Sequence, residues 1–128
     1  MTTNEKLITD FLKAAETGDT EKLIYLLESS DMDINAANDE GRTALHMASI
    51  SHNIEALELL LEYNPNVNAQ DEDGATPLHF AVKGNMLPLE VIELLLEHGA
   101  DPHIKNEVGV VPSELTSNLK IKKLLETY

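Results

Sequence analysis

The stretch "DEDGATPLHFAV", Asp71–Val82, decides how the rest of the chain is read. Gly74 supplies the positive φ of a tight turn, so Asp71–Ala75 predicts a hairpin tip. Thr76 is placed to cap a helix N-terminus through its hydroxyl. Pro77 then falls at the first helical position, where its missing N–H has no bond to lose. His79, three residues past the cap, can reach back to it as a capping-box side chain does. Ala81 is small enough for a neighbouring helix to come close. Turn, cap and helix start are packed into twelve residues.

The same order stands earlier in "NDEGRTALHMAS", Asn38–Ser49. Gly41, Thr43, Leu45, His46 and Ala48 recur 33 residues on as Gly74, Thr76, Leu78, His79 and Ala81. Asn35 and Ala36 recur as Asn68 and Ala69 at the same offset. A fixed period of this size marks stacked repeats. Behind each motif lies an apolar stripe at helical spacing with glutamates on its outer face, "IEALELLLEY" (Ile54–Tyr63) and "LEVIELLLEH" (Leu89–His98). Gly99 stops the second stripe, and Asn64 stops the first because asparagine tolerates the left-handed conformation. Thr43 to Leu59 spans 16 positions and Thr76 to Leu94 spans 18, which predicts a two-residue insertion near "KGNMLPLE". That insertion puts Met86, Leu87 and Pro88 in a turn between helices, as tolerated drift or as an apolar partner contact.

Composition narrows the function. The 128 residues suffice for one domain or a short repeat array, and 42% apolar residues can supply a core despite a formal net charge of −14. With no cysteine, disulfides, thiolate zinc sites and cysteine nucleophiles are excluded. "MTTNEKLITD" lacks the basic start and apolar run of a secretory signal, and no stretch is long and apolar enough for a membrane span. The expectation is an intracellular, cytoplasmic protein that is monomeric alone and binds no membrane. Of the five histidines, His46 and His79 have capping roles, and His52, His98 and His103 sit at no metal-ligand spacing. Asp71–Asp73 is a solvated tip, and no phosphate loop or nucleophile signature is present. These residues predict a non-enzyme with no metal and no cofactor. Surplus acid repels phosphate backbones, which argues against nucleic acid and would steer a protein partner with a basic surface. It would equally serve solubility alone. Three of the nine basic residues, Lys120, Lys122 and Lys123, are gathered in the last helical segment.

The spacing and the "TPLH" and "TALH" motifs resemble the ankyrin-repeat family, over nearly all of the chain. The resemblance implies an all-α repeat solenoid, a stack of helix-turn-helix units joined by β-hairpin-like loops, in which the motif histidine bridges adjacent hairpins. The expected division is one domain over 1–128. It comprises an N-terminal capping repeat at 1–37, repeats at 38–70 and 71–105, the latter with the insertion, and a shortened C-terminal capping repeat at 106–128. In the last of these Gly109 and Pro112 persist, but Val111 and Glu114 stand where threonine and histidine would.

Ankyrin arrays bind partners with hairpin tips and the concave face of the first helices. Carried onto this sequence, the tip positions are Asp39, Glu40 and Arg42, then Glu72, Asp73 and Ala75, then Glu107, Val108 and Val110. Gln70 and Lys105 flank the tips, and Ile50, Ser51, Lys83 and Gly84 come from the first helices. Ile50, Val108 and Val110 are expected to stand exposed beside the acids. The resemblance also opens Asn35 and Asn68 to hydroxylation, with Leu27 and Leu60 eight positions upstream; the alternative is that both only hydrogen-bond their hairpins. Two functions fit: an adaptor or scaffold module, or a stoichiometric inhibitor or immunity-type protein that occludes a basic enzyme surface.

Overall fold

The structure is a computed structural model that describes residues 3–83 and 89–128. Gly84, and the insertion expected at 84–88, lie outside the described residues. Seven α-helices follow one another among the described residues: α1 (Thr3–Thr17), α2 (Thr20–Ser29), α3 (Ala44–Ser51), α4 (Ile54–Leu61), α5 (Pro77–Ala81), α6 (Leu89–Glu97) and α7 (Leu119–Glu126). A 3-10 helix, Pro112–Leu115, precedes α7.

Helices α2, α3, α4, α5 and α7 each start where a short polar side chain satisfies orphan backbone amides. Asp19 accepts from Lys22 N–H, Asn53 from Ala56 N–H, and Asn118 from Lys120 and Ile121 N–H. Stops are made by residues in the left-handed region, Asn64 at φ 52° and Gly99 at φ 97°, as the sequence predicts. His52, at φ 55°, ends α3 in the same way.

The helices pack in two rows. α1, α3, α5 and the 3-10 helix lie side by side in one; α2, α4 and α6 form the other. The core runs between them. Leu23 and Leu26, Leu57 and Leu60, and Ile92 and Leu95 from the second helices meet Phe11, Leu45 and Leu78 from the first. Ala14, Ala48 and Ala81 are buried where the first helices pack closely. Full burial of each such leucine is worth about 1.5–3 kcal/mol relative to exposure. Ile121 and Leu125 of α7 continue the core at the far end.

No strand occurs among the described residues, and the one isolated bridge pairs Ala37 with Thr43. The loops between helix pairs are still built as hairpins. Asn38, Asp71 and Asn106 donate their N–H to Arg42, Ala75 and Val110 carbonyls at 3.0, 2.9 and 2.9 Å. Gly74 takes φ 74° at the second of these tips, and a Cβ there would lie 2.7 Å from Glu107 N in the next one. Glycine is required both by the turn and by the neighbour. No helix among the described residues is long and apolar enough to cross a membrane.

Candidate functional site

The three hairpin tips share one internal construction. The side chain of the first tip residue accepts two amides of its own loop: Asn38 Oδ1 from Glu40 and Arg42, Asp71 Oδ1 from Asp73 and Ala75, and Asn106 Oδ1 from Val108 and Val110. Successive tips are then tied by their backbones. Glu72 N–H donates to Glu40 O at 2.9 Å, and Glu107 N–H to Asp73 O at 2.8 Å. Gln70 Nε2 adds a strap, donating to Gly74 O and Lys105 O at 3.0 and 3.3 Å. The tips therefore form one continuous edge, along which Glu40, Glu72, Asp73 and Glu107 are exposed.

Beneath that edge the motif histidines hold the stack. Thr76 Oγ1 accepts from His79 N–H, and His79 Nδ1 accepts from Thr76 N–H at 3.0 Å; Thr43 and His46 repeat the arrangement. Because Nδ1 receives an amide proton, the ring proton sits on Nε2. It is donated to the next hairpin, from His46 to Ala75 O at 2.9 Å and from His79 to Val110 O at 2.8 Å. Burial pushes both imidazoles below their ordinary pKa, against the raising effect of those carbonyls.

The first helices add a mixed patch. Phe80, half-buried on α5, sits edge-on to His46 with centroids 5.8 Å apart. The Arg42 guanidinium lies 5.0 Å from the Phe80 centroid and the Lys83 ammonium 5.3 Å from it. Arg42 Nε also donates to the buried Asp71 carboxylate at 3.4 Å. Phe80 and the equivalent Met47 of α3 were not among the sequence candidates. Each stands between the motif histidine and alanine, where an apolar residue reads as core, yet both remain partly exposed.

Most tip candidates are surface residues: Asp39, Glu40, Glu72, Asp73, Glu107, Gln70, Lys105, Ser51 and Lys83 are exposed, and Val108 is 82% exposed. Four positions differ from expectation. Asp71, read as part of a solvated tip, is 7% exposed because its carboxylate accepts from two loop amides and from Arg42 Nε. Ala75 is only 8% exposed, its amide held by Asp71 and its carbonyl by His46 of the preceding repeat. Val110 is partly buried because Asn106 and His79 bind its backbone, and Ile50 is partly buried because α3 packs against both α1 and α5. Asn35 Oδ1 accepts from Asn66 N–H at 2.7 Å, and Asn68 Oδ1 from Asp101 N–H at 2.8 Å, so both amides bridge consecutive loops. Among the described residues no three histidine or acidic side chains gather into a metal-binding group.

This architecture agrees with the comparison to known families: a model of ankyrin repeats in three copies matches residues 11–106. No curated protein matches the chain.

Proposed function

The chain belongs to the ankyrin-repeat family, and from that premise we propose that it is an adaptor or scaffold module whose protein partner docks on the hairpin tips and the concave face of α1, α3 and α5. Ankyrin repeats are generally protein–protein interaction modules and typically non-enzymatic. The observation that carries the proposal is the tip edge. Backbone bonds between hairpins hold Glu40, Glu72, Asp73 and Glu107 in a row, exposed, with no internal partner beyond a 3.8 Å approach of Arg42 to Glu40 among the described residues. Like charges held side by side repel, and the fold gains nothing from them. A basic partner surface would relieve that repulsion and be steered by it. Val108, Met47 and Phe80 supply apolar contact beside the acids, as the core of an interface does.

The test is a footprint. A protein recovered from the native source in a pull-down is titrated into the isotope-labelled chain, and backbone amide shifts are followed by NMR. The proposal expects changes at 38–42, 71–75 and 105–110 and along α3 and α5. Changes confined to α4 and α6 would place the partner on the opposite side and overturn it. Recovery of a single enzyme, inhibited in a 1:1 complex, would convert the adaptor into the inhibitor.

A further inference from the structure

Net charge predicts a basic partner, but within the two central repeats the cations are not scattered. Between Asn38 and Lys105 the chain carries three basic residues, Arg42, Lys83 and Lys105, and all three belong to the tip and first-helix side. Helices α4 and α6 carry none; their charges are Glu55, Glu58, Glu90, Glu93 and Glu97. A surface tuned only for solubility would set lysines among those glutamates at i, i+4 spacing. Here the cations are gathered where a partner would sit.

Two of the three meet at one ring. Arg42 and Lys83 lie 5.0 and 5.3 Å from the Phe80 centroid, and His46 fixes the ring from its edge. The carboxylate nearest to Arg42, Asp71, is already committed to two loop amides and to Arg42 Nε. Glu40 is 3.8 Å from the Arg42 guanidinium, beyond hydrogen-bonding distance, and exposed. Lys83 has no ion pair among the described residues. The patch therefore has cationic capacity left over in an otherwise acidic protein.

We propose that Arg42, Phe80 and Lys83 form a carboxylate subsite, which takes an acidic side chain of a partner segment whose basic residues lie against the tip acids. The subsite rests on the tip and first-helix surface proposed above. Its chemistry is complementary to one glutamate. The carboxylate meets the two cations, whose charge outweighs the negative face of the ring, and the aliphatic stem lies against Phe80. A uniformly basic segment would bring its charge against Arg42 and Lys83 and be disfavoured, so the subsite selects among basic partners.

Random dodecapeptides displayed on phage, selected against the full chain, test this directly. The selected family should contain basic residues together with one fixed acidic position. Changing that glutamate to glutamine in the synthetic peptide should weaken binding about fivefold. In the Lys83→Gln protein the same peptide change should have a smaller effect, since one of the two cations facing the glutamate is gone. Lys83 is exposed, so the variant keeps its fold, which circular dichroism checks; Phe80→Leu provides a second variant with the same expectation. A selection with no acidic position, or an acidic position indifferent to Lys83→Gln and Phe80→Leu, overturns the subsite. Peptides lost on replacing Glu40, Glu72, Asp73 and Glu107 with serine, yet indifferent to Lys83, leave the tip surface standing without it. Peptides lost only when Glu58 and Glu93 are replaced overturn both.

Discussion

His46 and His79 each serve two hairpins with one ring, and that makes them sensitive to acid. The native ring accepts at Nδ1 from its own cap and donates from Nε2 to the next hairpin. Protonation would aim a second ring N–H at the threonine amide. Burial holds both native pKa values below the ordinary imidazole value, while the unfolded chain titrates near about 6.5. Between the two values the unfolded state binds more protons, so stability falls as pH drops through the unfolded value toward the lowered native one. Urea midpoints should decrease from pH 7.5 to pH 5.5, above the range where carboxylates titrate. His46→Gln and His79→Gln should each lower stability at pH 7.5 and flatten the pH slope. A slope unchanged in both variants would show that the rings are not its source.

Among the helices, those with complete local signals were legible in the sequence. Thr76, Pro77 and His79 form their cap within four positions, and Asn64 and Gly99 stop their helices where expected. What was missed depends on neighbours remote in sequence. Ala75 reads as a tip surface residue because what holds it includes His46, 29 positions away in the preceding repeat. Phe80 reads as core because the cations that flag it include Arg42, which the fold alone brings near. The paired amide acceptors at Asn38, Asp71 and Asn106 were the exception. Their signal, Asn or Asp three residues before each tip glycine, is present in the sequence. The weakest helix start is the 3-10 segment. Val111 has nearly the backbone of Thr76, φ −94° and ψ 159° against −93° and 168°, but no hydroxyl; only Glu114 reaches back, accepting from Val111 N–H at 3.0 Å. Val111→Thr should therefore supply the missing cap and raise unfolding stability by about 0.5–1 kcal/mol in urea titrations. A loss of stability would mean the valine methyls matter more than the cap.

At the scale of the whole molecule, the stack separates its charges. Helices α4 and α6 present glutamates as their only charges, the tips present a row of acids, and Arg42 and Lys83 flank the ring of Phe80. The repeat period predicted the stack, and the row of tip acids followed from its register. The direct ties between tips, from Glu72 to Glu40 and from Glu107 to Asp73, required the structure. On the proposed function this edge receives a protein partner. That is tested most directly by association kinetics over a series of salt concentrations, comparing the chain with two variants. One replaces Glu40, Glu72, Asp73 and Glu107 with serine; the other replaces Glu58 and Glu93. The tip variant should keep or slightly gain stability as self-repulsion falls, while its on-rate drops about tenfold or more at low salt and loses most of its salt dependence. The helix variant should associate as the parent chain does. A tip variant with the parent's on-rate and salt slope, beside a helix variant that binds slowly, would contradict the account.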